Sequence, residues 1–162
     1  CGYDVKKSEL HGMSQRGGEV QSHFRLSDGP ISSDLIPEGK ADLIISVEPM
    51  EGLRYLPMLS PEGWLITNTH PYKNISNYPD IDTVIGEIKK YPNSKMLNAD
   101  KIAREIGSPK STNIVVLGAA SPYLDIPMEV LENSLKLIFR AKGDKIIEKN
   151  IEALHKGREL AD

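Results

Sequence analysis

The densest run of chemically capable residues is Ser8-Glu9-Leu10-His11-Gly12-Met13-Ser14-Gln15-Arg16-Gly17-Gly18. Acid, imidazole, hydroxyl, amide and guanidinium share these positions with glycines that let the backbone bend closely around something. Two kinds of chemistry can be drawn from them. Ser8 or Ser14 beside His11 supplies the residue types of a nucleophile and its base, but no orienting carboxylate or oxyanion hole is legible, which ranks a hydrolase last. The other is anion binding. Arg16 carries a planar fork of donors matched to carboxylate or phosphate, and Gly17 and Gly18 can turn successive backbone N–H groups into a concave nest. A plain alternative stays open: Arg16 pairs with Glu9 or Glu19, and the glycines only form a turn.

Three further polar residues, Glu48, Asn68 and His70, fall at or just past the carboxyl ends of predicted strands. In open α/β sheets that is where ligands bind. A carboxylate, an amide and an imidazole on one rim could hold a polar ligand. The plainer reading makes Glu48 a helix cap and His70 a loop residue. His11, His23, His70 and His155 show no paired ligand spacing, and Cys1 is the single cysteine, so no metal site is expected.

The elements that must position these residues follow from periodicity and punctuation. Residues 20–26 alternate, with Val20, Phe24 and Leu26 on one face and Gln21, His23 and Arg25 on the other, which predicts a strand half-buried on its apolar side. Residues 41–47 are nearly all apolar, as in a strand covered on both faces. Pro49 then opens a helix that turns Met50, Leu53 and Leu56 inward and stops near Pro61-Glu62-Gly63. A strand follows at Trp64–Asn68, then a surface loop from Tyr72 to Asp82. Next come a helix at Thr83–Tyr91 burying Val84, Ile85 and Ile88, and a short strand at Lys95–Asn98. Asp100 is placed to cap a helix over 101–106, ended by Gly107. The stretch 111–124 could be strand or helix, and its length favours helix. Pro127 opens a helix with Val130, Leu131, Leu135 and Ile138 at helical spacing. Gly143 separates it from a last helix striped by Ile147, Ile151 and Leu154.

Strands alternating with helices predict a three-layer α/β/α Rossmann-like sandwich with a largely parallel sheet, in a single domain over 1–162. The chain has 162 residues, 39% of them apolar, and a net charge of −3, so no basic face marks a nucleic-acid partner. No apolar run reaches the roughly 20 residues of a membrane helix, and no signal-peptide pattern opens the chain. The cytoplasm is the expected compartment. Cys1-Gly2-Tyr3-Asp4-Val5 reads as the end of a connection entering a strand, which predicts that an amino-terminal element precedes it.

The stretch Val5–Gly18, continuing through Ser22-His23-Phe24-Arg25, closely resembles the signature of indolepyruvate:ferredoxin oxidoreductase beta subunits. These group with the gamma subunits or domains of the 2-oxoacid:ferredoxin oxidoreductases. The His-Gly-Met-Ser-Gln-Arg-Gly-Gly form is like the indolepyruvate branch; pyruvate and 2-oxoglutarate relatives tend to carry Tyr-Gly-x-Glu-x-Arg-Gly-Gly. Ala41-Asp42-Leu43-Ile44 with Glu48-Pro49-Met50-Glu51-Gly52-Leu53-Arg54, and Asn113 leading into Leu117-Gly118-Ala119, agree with it. The resemblance is looser over 70–95.

That resemblance implies a strand, a glycine-rich turn and a helix ahead of Cys1. It also implies membership of a complex that oxidatively decarboxylates an aryl pyruvate with coenzyme A, yielding an aryl-acetyl-CoA, CO2 and reduced ferredoxin. Thiamine diphosphate with Mg, and the iron–sulfur clusters, are expected on a partner alpha subunit, with ferredoxin reached through the complex. No catalytic residue is then expected on this chain. Ser8, Glu9, His11, Gly12, Gln15, Arg16, Gly17 and Gly18 would form a loop facing the partner, with Arg16 and the two glycines holding an anionic group of coenzyme A. An isolated chain could pair with itself through that surface. The alternatives are a subunit acting on pyruvate or another 2-oxoacid, a subunit that only shapes its partner, and a free-standing Rossmann-like nucleotide-binding module.

Overall fold

The computed structural model describes residues 2–11, 20–73 and 76–161, His11 by its backbone. Two strands come first: β1 (Asp4–His11) and β2 (Val20–Ser27), an antiparallel hairpin pairing Asp4 with Ser27 and His11 with Val20. Then follow β3 (Ala41–Ser46), α1 (Pro49–Arg54), β4 (Leu59–Asn68), α2 (Ile81–Ile88), β5 (Ser94–Leu97) and α3 (Ala99–Glu105). The chain closes with α4 (Thr112–Ala120), α5 (Met128–Phe139) and α6 (Asp144–Glu159). β3, β4 and β5 form a parallel sheet in that order. Parallel neighbours need crossovers, and α1 and α2 supply them.

Alternation along the central strand makes the layers. Leu65 packs with Leu56, Val84 and Ile88 on the face covered by α1 and α2. Its neighbour Ile66 points the other way, into a larger core with Ala103, Val115, Val116 and Leu154 from α3, α4 and α6. The expected three-layer α/β/α arrangement is the one found. The stretch that could have been strand or helix is α4, extended by 3₁₀ turns at Pro109–Ser111 and Ser121–Tyr123. Ile114, Val115, Val116, Gly118, Ala119 and Ala120 are all buried, so this helix has almost no outer face.

Two glycines set how closely α4 and α6 approach. A Cβ on Gly118 would overlap the carbonyl oxygen of Leu154, and one on Gly157 would overlap that of Val115. Only hydrogen fits at either crossing point. Trp64 on β4 stacks on Tyr123, with ring centroids 4.4 Å apart. Gly143, at φ +88, separates α5 and α6 as the sequence suggested.

Several expectations need correction. The hairpin is turned over: Val20, Phe24 and Leu26 are 62%, 50% and 38% exposed, whereas His23 is 6% exposed. The reason is polar. Segment 31–36 lies across the other face and needs partners for its backbone. His23 Nδ1 accepts from Ile36 N–H at 3.0 Å, Arg25 donates to Ser33 O at 2.8 Å, and Asp4 accepts from Ile31 N–H at 2.7 Å.

The turn read at Pro61-Glu62-Gly63 lies within β4. Ala41 and Leu43 on β3 face Leu59 and Trp64, so the extra β4 residues form a bulge there. Gly63 is required at that bulge, since a Cβ would come 2.7 Å from Ala41 O. The α1 helix is accordingly shorter than expected, and Leu56 sits in a following 3₁₀ turn. The cap of α3 is Asn98, whose side chain accepts from Lys101 N–H at 2.9 Å; Asp100 lies in the first turn instead. α2 begins at Ile81, capped by Asp80. Ile138 on α5 is exposed.

Candidate functional site

A cleft of about 770 Å³ runs from β2 along β3 to the carboxyl ends of β3 and β4. Glu48, Asn68 and His70 all line it, so the structure brings together the three rim residues read from the sequence. Tyr78, Asp100 and Lys110 join them.

The rim is built from the strand ends outward. At the end of β3, Ser46 Oγ donates to Glu48 O at 2.5 Å. Glu48 then caps α1, its Oε2 accepting from Glu51 N–H at 2.9 Å, as the plainer reading had it. The other carboxylate oxygen accepts from the Tyr78 hydroxyl. Burial, and then the hydrogen bond and charge of Glu48, push the Tyr78 hydroxyl pKa up. Both oxygens of Glu48 are therefore engaged within the chain.

Asn68 ends β4 and is 1% exposed. Its Nδ2 donates to Val47 O at 3.1 Å, His70 O at 3.3 Å and Asp100 Oδ2 at 2.7 Å, and its Oδ1 accepts from Ala99 N–H at 3.0 Å. One amide thus ties β3, the loop after β4 and the start of α3. Its role is to hold the rim together. Asp100 Oδ1 also accepts from Thr112 Oγ1 at 3.4 Å, linking the rim to α4. His70 is exposed at the cleft mouth.

Of the signature residues, Ser8 and Glu9 lie on β1, with Ser8 opposite His23 and Glu9 opposite Ser22. His11 is the last residue of β1. The stretch expected to be loop from Ser8 onward is strand up to that point. Gly12, Gln15, Arg16, Gly17 and Gly18 lie outside the described residues. His23, the residue across from Ser8, contacts Gln21 through Nε2 at 2.8 Å while Nδ1 takes the Ile36 N–H. Its ring nitrogens are thus committed to holding the hairpin.

Sequence reasoning missed Tyr78, Asp100 and Lys110 as rim residues. Tyr78 stood in an unpatterned loop, and Asp100 was read as a cap. The lining carries the carboxylates of Glu48, Glu51 and Asp100 against the Lys110 ammonium. Carboxylates repel anions, so an anionic ligand here needs further donors beside Lys110. Among the described residues, no three His, Cys, Asp or Glu side chains come together to hold a metal ion, and no helix is long and apolar enough to cross a membrane.

The model of the pyruvate ferredoxin/flavodoxin oxidoreductase family matches residues 1–160. The chain belongs to that family. Within it, the chain is 37% identical over 164 residues to the indolepyruvate oxidoreductase subunit IorB of Archaeoglobus fulgidus, covering 97% of this chain and 80% of the relative. It is 33% identical to IorB of Pyrococcus horikoshii, covering 99% and 83%. Two solved structures share the fold. A 2-oxoglutarate:ferredoxin oxidoreductase from Magnetococcus marinus, determined with 2-oxoglutarate, coenzyme A and succinyl-CoA bound, superposes with a TM-score of 0.74 at 22% identity. It covers 99% of this chain, which spans about a quarter of that one. Pyruvate oxidoreductase subunit PORC from Thermotoga maritima gives 0.66 at 22% identity, covering 98% of this chain and 80% of its own.

Proposed function

We propose that this chain is the beta subunit of an indolepyruvate:ferredoxin oxidoreductase. The complex converts an aryl pyruvate and coenzyme A to an aryl-acetyl-CoA and CO2, passing two electrons to ferredoxin. The observation that carries this reading is identity of 33–37% to four IorB subunits over nearly the whole chain. Similarity to the pyruvate:ferredoxin oxidoreductase of Moorella thermoacetica is lower, at 29%. The aryl substrate is therefore favoured over pyruvate.

Thiamine diphosphate, with its Mg ion, supplies carbanion stabilisation in such chemistry, and iron–sulfur clusters carry the electrons away. The residues here do not fit an iron–sulfur cluster. The sequence has one cysteine, where a cluster is usually held by four. Both groups are assigned to an alpha subunit in the cytoplasm.

This subunit's contribution is shape and donors at the partner's active-site mouth. β1 and β2 lead into and out of the signature segment. Arg16 and the Gly17-Gly18 backbone hold an anionic group of coenzyme A. The test is Arg16→Ala in the assembled complex, with coenzyme A KM and alpha-subunit binding measured separately. Loss of a hydrogen bond to a charged group costs about 1.5–3 kcal/mol, so KM should rise roughly 10- to 100-fold. No change in either quantity refutes the anion role. Oxoacid turnover by the isolated chain refutes the non-catalytic one.

A further inference from the structure

We propose that the outer side of α5 and the turn into α6 form a docking surface for the companion alpha subunit, which meets it with an apolar centre ringed by carboxylates. The inference rests on the subunit reading above and adds a second contact, remote in sequence from the signature segment.

The first observation is a helix with apolar residues on two sides. Leu135 is buried, and Met128, Leu131 and Phe139 pack against the same core. Their spacing of three and four makes one stripe, which seats α5 on the domain. Leu137 lies about 200° round the helix from Leu135 and so belongs to the opposite side. It is 74% exposed. Ile138, which the spacing puts at the edge of the inner stripe, is 70% exposed. Ile146, in the first turn of α6, is exposed as well. Single apolar residues on a surface are ordinary. Two consecutive aliphatic side chains held out to water contribute nothing to the core and mark a place that something covers.

The second observation is charge. From Lys136 to Lys145 the cations Lys136, Arg140, Lys142 and Lys145 stand against Asp144 alone, a net +3 on a chain whose total is −3. Among the described residues, Arg140, Lys142 and Lys145 form no ion pair. Local helix energetics explain only half of these cations. Lys136 and Arg140 sit at the carboxyl end of α5, where the helix dipole favours them. Lys142 lies in the 3₁₀ turn that follows, at Arg140–Lys142. Lys145 is in the first turn of α6, where the dipole disfavours a cation. A cation kept where its own helix repels it points to an anionic neighbour from outside.

Together these observations choose the occupant. A second copy in a symmetric pair would set one +3 segment against another, and like charges oppose that. Nucleic acid is met by cations with polar or aromatic side chains rather than by a leucine and an isoleucine. An electron acceptor that visits and leaves uses a small contact. An aliphatic centre with charge confined to the rim is the anatomy of a standing protein interface. The alpha subunit is the standing partner of this chain.

The experiment uses the complete polypeptide and its alpha subunit, purified separately, with association and Kd measured at low and high salt. Leu137→Gln with Ile138→Gln removes the apolar centre while keeping a helix-forming residue at both positions. Kd should rise about 30-fold or more, as for truncated residues at the heart of an interface. The Tm of that variant alone should stay within about 2 °C of the parent, because both positions are exposed. Arg140→Glu with Lys142→Glu should slow association about 10-fold and flatten its salt dependence. Lys89→Glu, at the end of α2 on the other side of the sheet, should leave Kd within about 2-fold. A Kd unchanged by the glutamine pair overturns the proposal and leaves the subunit reading standing; a salt dependence unchanged by the glutamate pair overturns the acidic partner. A parent chain that binds no alpha subunit overturns both readings. A fall in Tm of roughly 5 °C or more in the glutamine variant alone shows that the chain covers this face itself, and overturns the proposal. So does unchanged alpha-subunit binding in a variant that has lost self-association, or lost binding to vesicles of phosphatidylserine and phosphatidylcholine in equal parts.

Discussion

Gly157→Ala tests the packing of this fold more sharply than any large-to-small change in the core. The added methyl would overlap Val115 O and lie 2.9 Å from Ala119 N, both backbone atoms of the opposing helix. Backbone cannot rotate away as a side chain can, so α4 and α6 must part until the contact exceeds 3.0 Å. That takes about 1 Å. A gap of about 0.5–1 Å forfeits a quarter to a half of each dispersion well along the crossing. Val115, Ala119, Ala153 and Leu154 are nearly fully buried there and would all lose contacts. Overpacking of this kind costs about 1–3 kcal/mol and sometimes more, while alanine returns about 1 kcal/mol of helix propensity. Because a wider separation strips contacts from several residues, a net loss of about 2–3 kcal/mol is expected. Tm should fall by roughly 5–10 °C. The control is Gly86→Ala in α2, where nothing lies within 4 Å of the new methyl. It should gain about 0.5–1 kcal/mol from propensity alone. Urea and thermal unfolding of both variants give the comparison. If Gly157→Ala is as stable as the parent, the close crossing of α4 and α6 is not what holds the layer.

Two further outcomes follow from the rim. Asn68→Ala strips partners from Ala99 N–H, Val47 O, His70 O and Asp100 together, and should cost about 2–4 kcal/mol in urea unfolding, with faster amide exchange at Ala99. Tyr78→Phe removes the bond to Glu48 and should cost about 1–2 kcal/mol at neutral pH. The folded pKa of Tyr78 is raised, so its contribution is complete below the unfolded tyrosine value of about 10 and is lost as pH climbs through the folded value. The gap between parent and Tyr78→Phe should therefore persist up to about pH 10 and shrink as pH rises from there towards the folded value; a gap that closes between pH 7 and 9 would contradict this.

Sequence punctuation located most elements because the signals were local. Pro49 at the start of α1, Gly107 after α3 and Gly143 before α6 act through φ alone, and no distant contact can overrule them. What failed depended on neighbours far along the chain. Alternation in β2 established a strand, but which face lies inside depends on segment 31–36, whose backbone needed the polar side. Asn98 and Asp100 are both competent caps, and the choice between them was made by Asn68, which takes Asp100 for itself. Pro61-Glu62-Gly63 has the composition of a turn and also that of a bulge beside a close carbonyl. Glu48, Asn68 and His70 were found because strand ends are readable. The tyrosine that completes the rim comes from a loop with no period to betray it.

The charge-free passage of α4 has a cost away from the folded state. No ionised side chain occurs between Lys110 and Asp125, and the β-branched stretch Ile114-Val115-Val116 is as suited to cross-β stacking as to a helix. In the folded state α6, held near by its glycine, together with α3 and β4 keeps that stretch covered. Whenever the carboxyl-terminal helix lifts off, during synthesis or under heat, this is the segment that chaperones would grip and that aggregates would recruit.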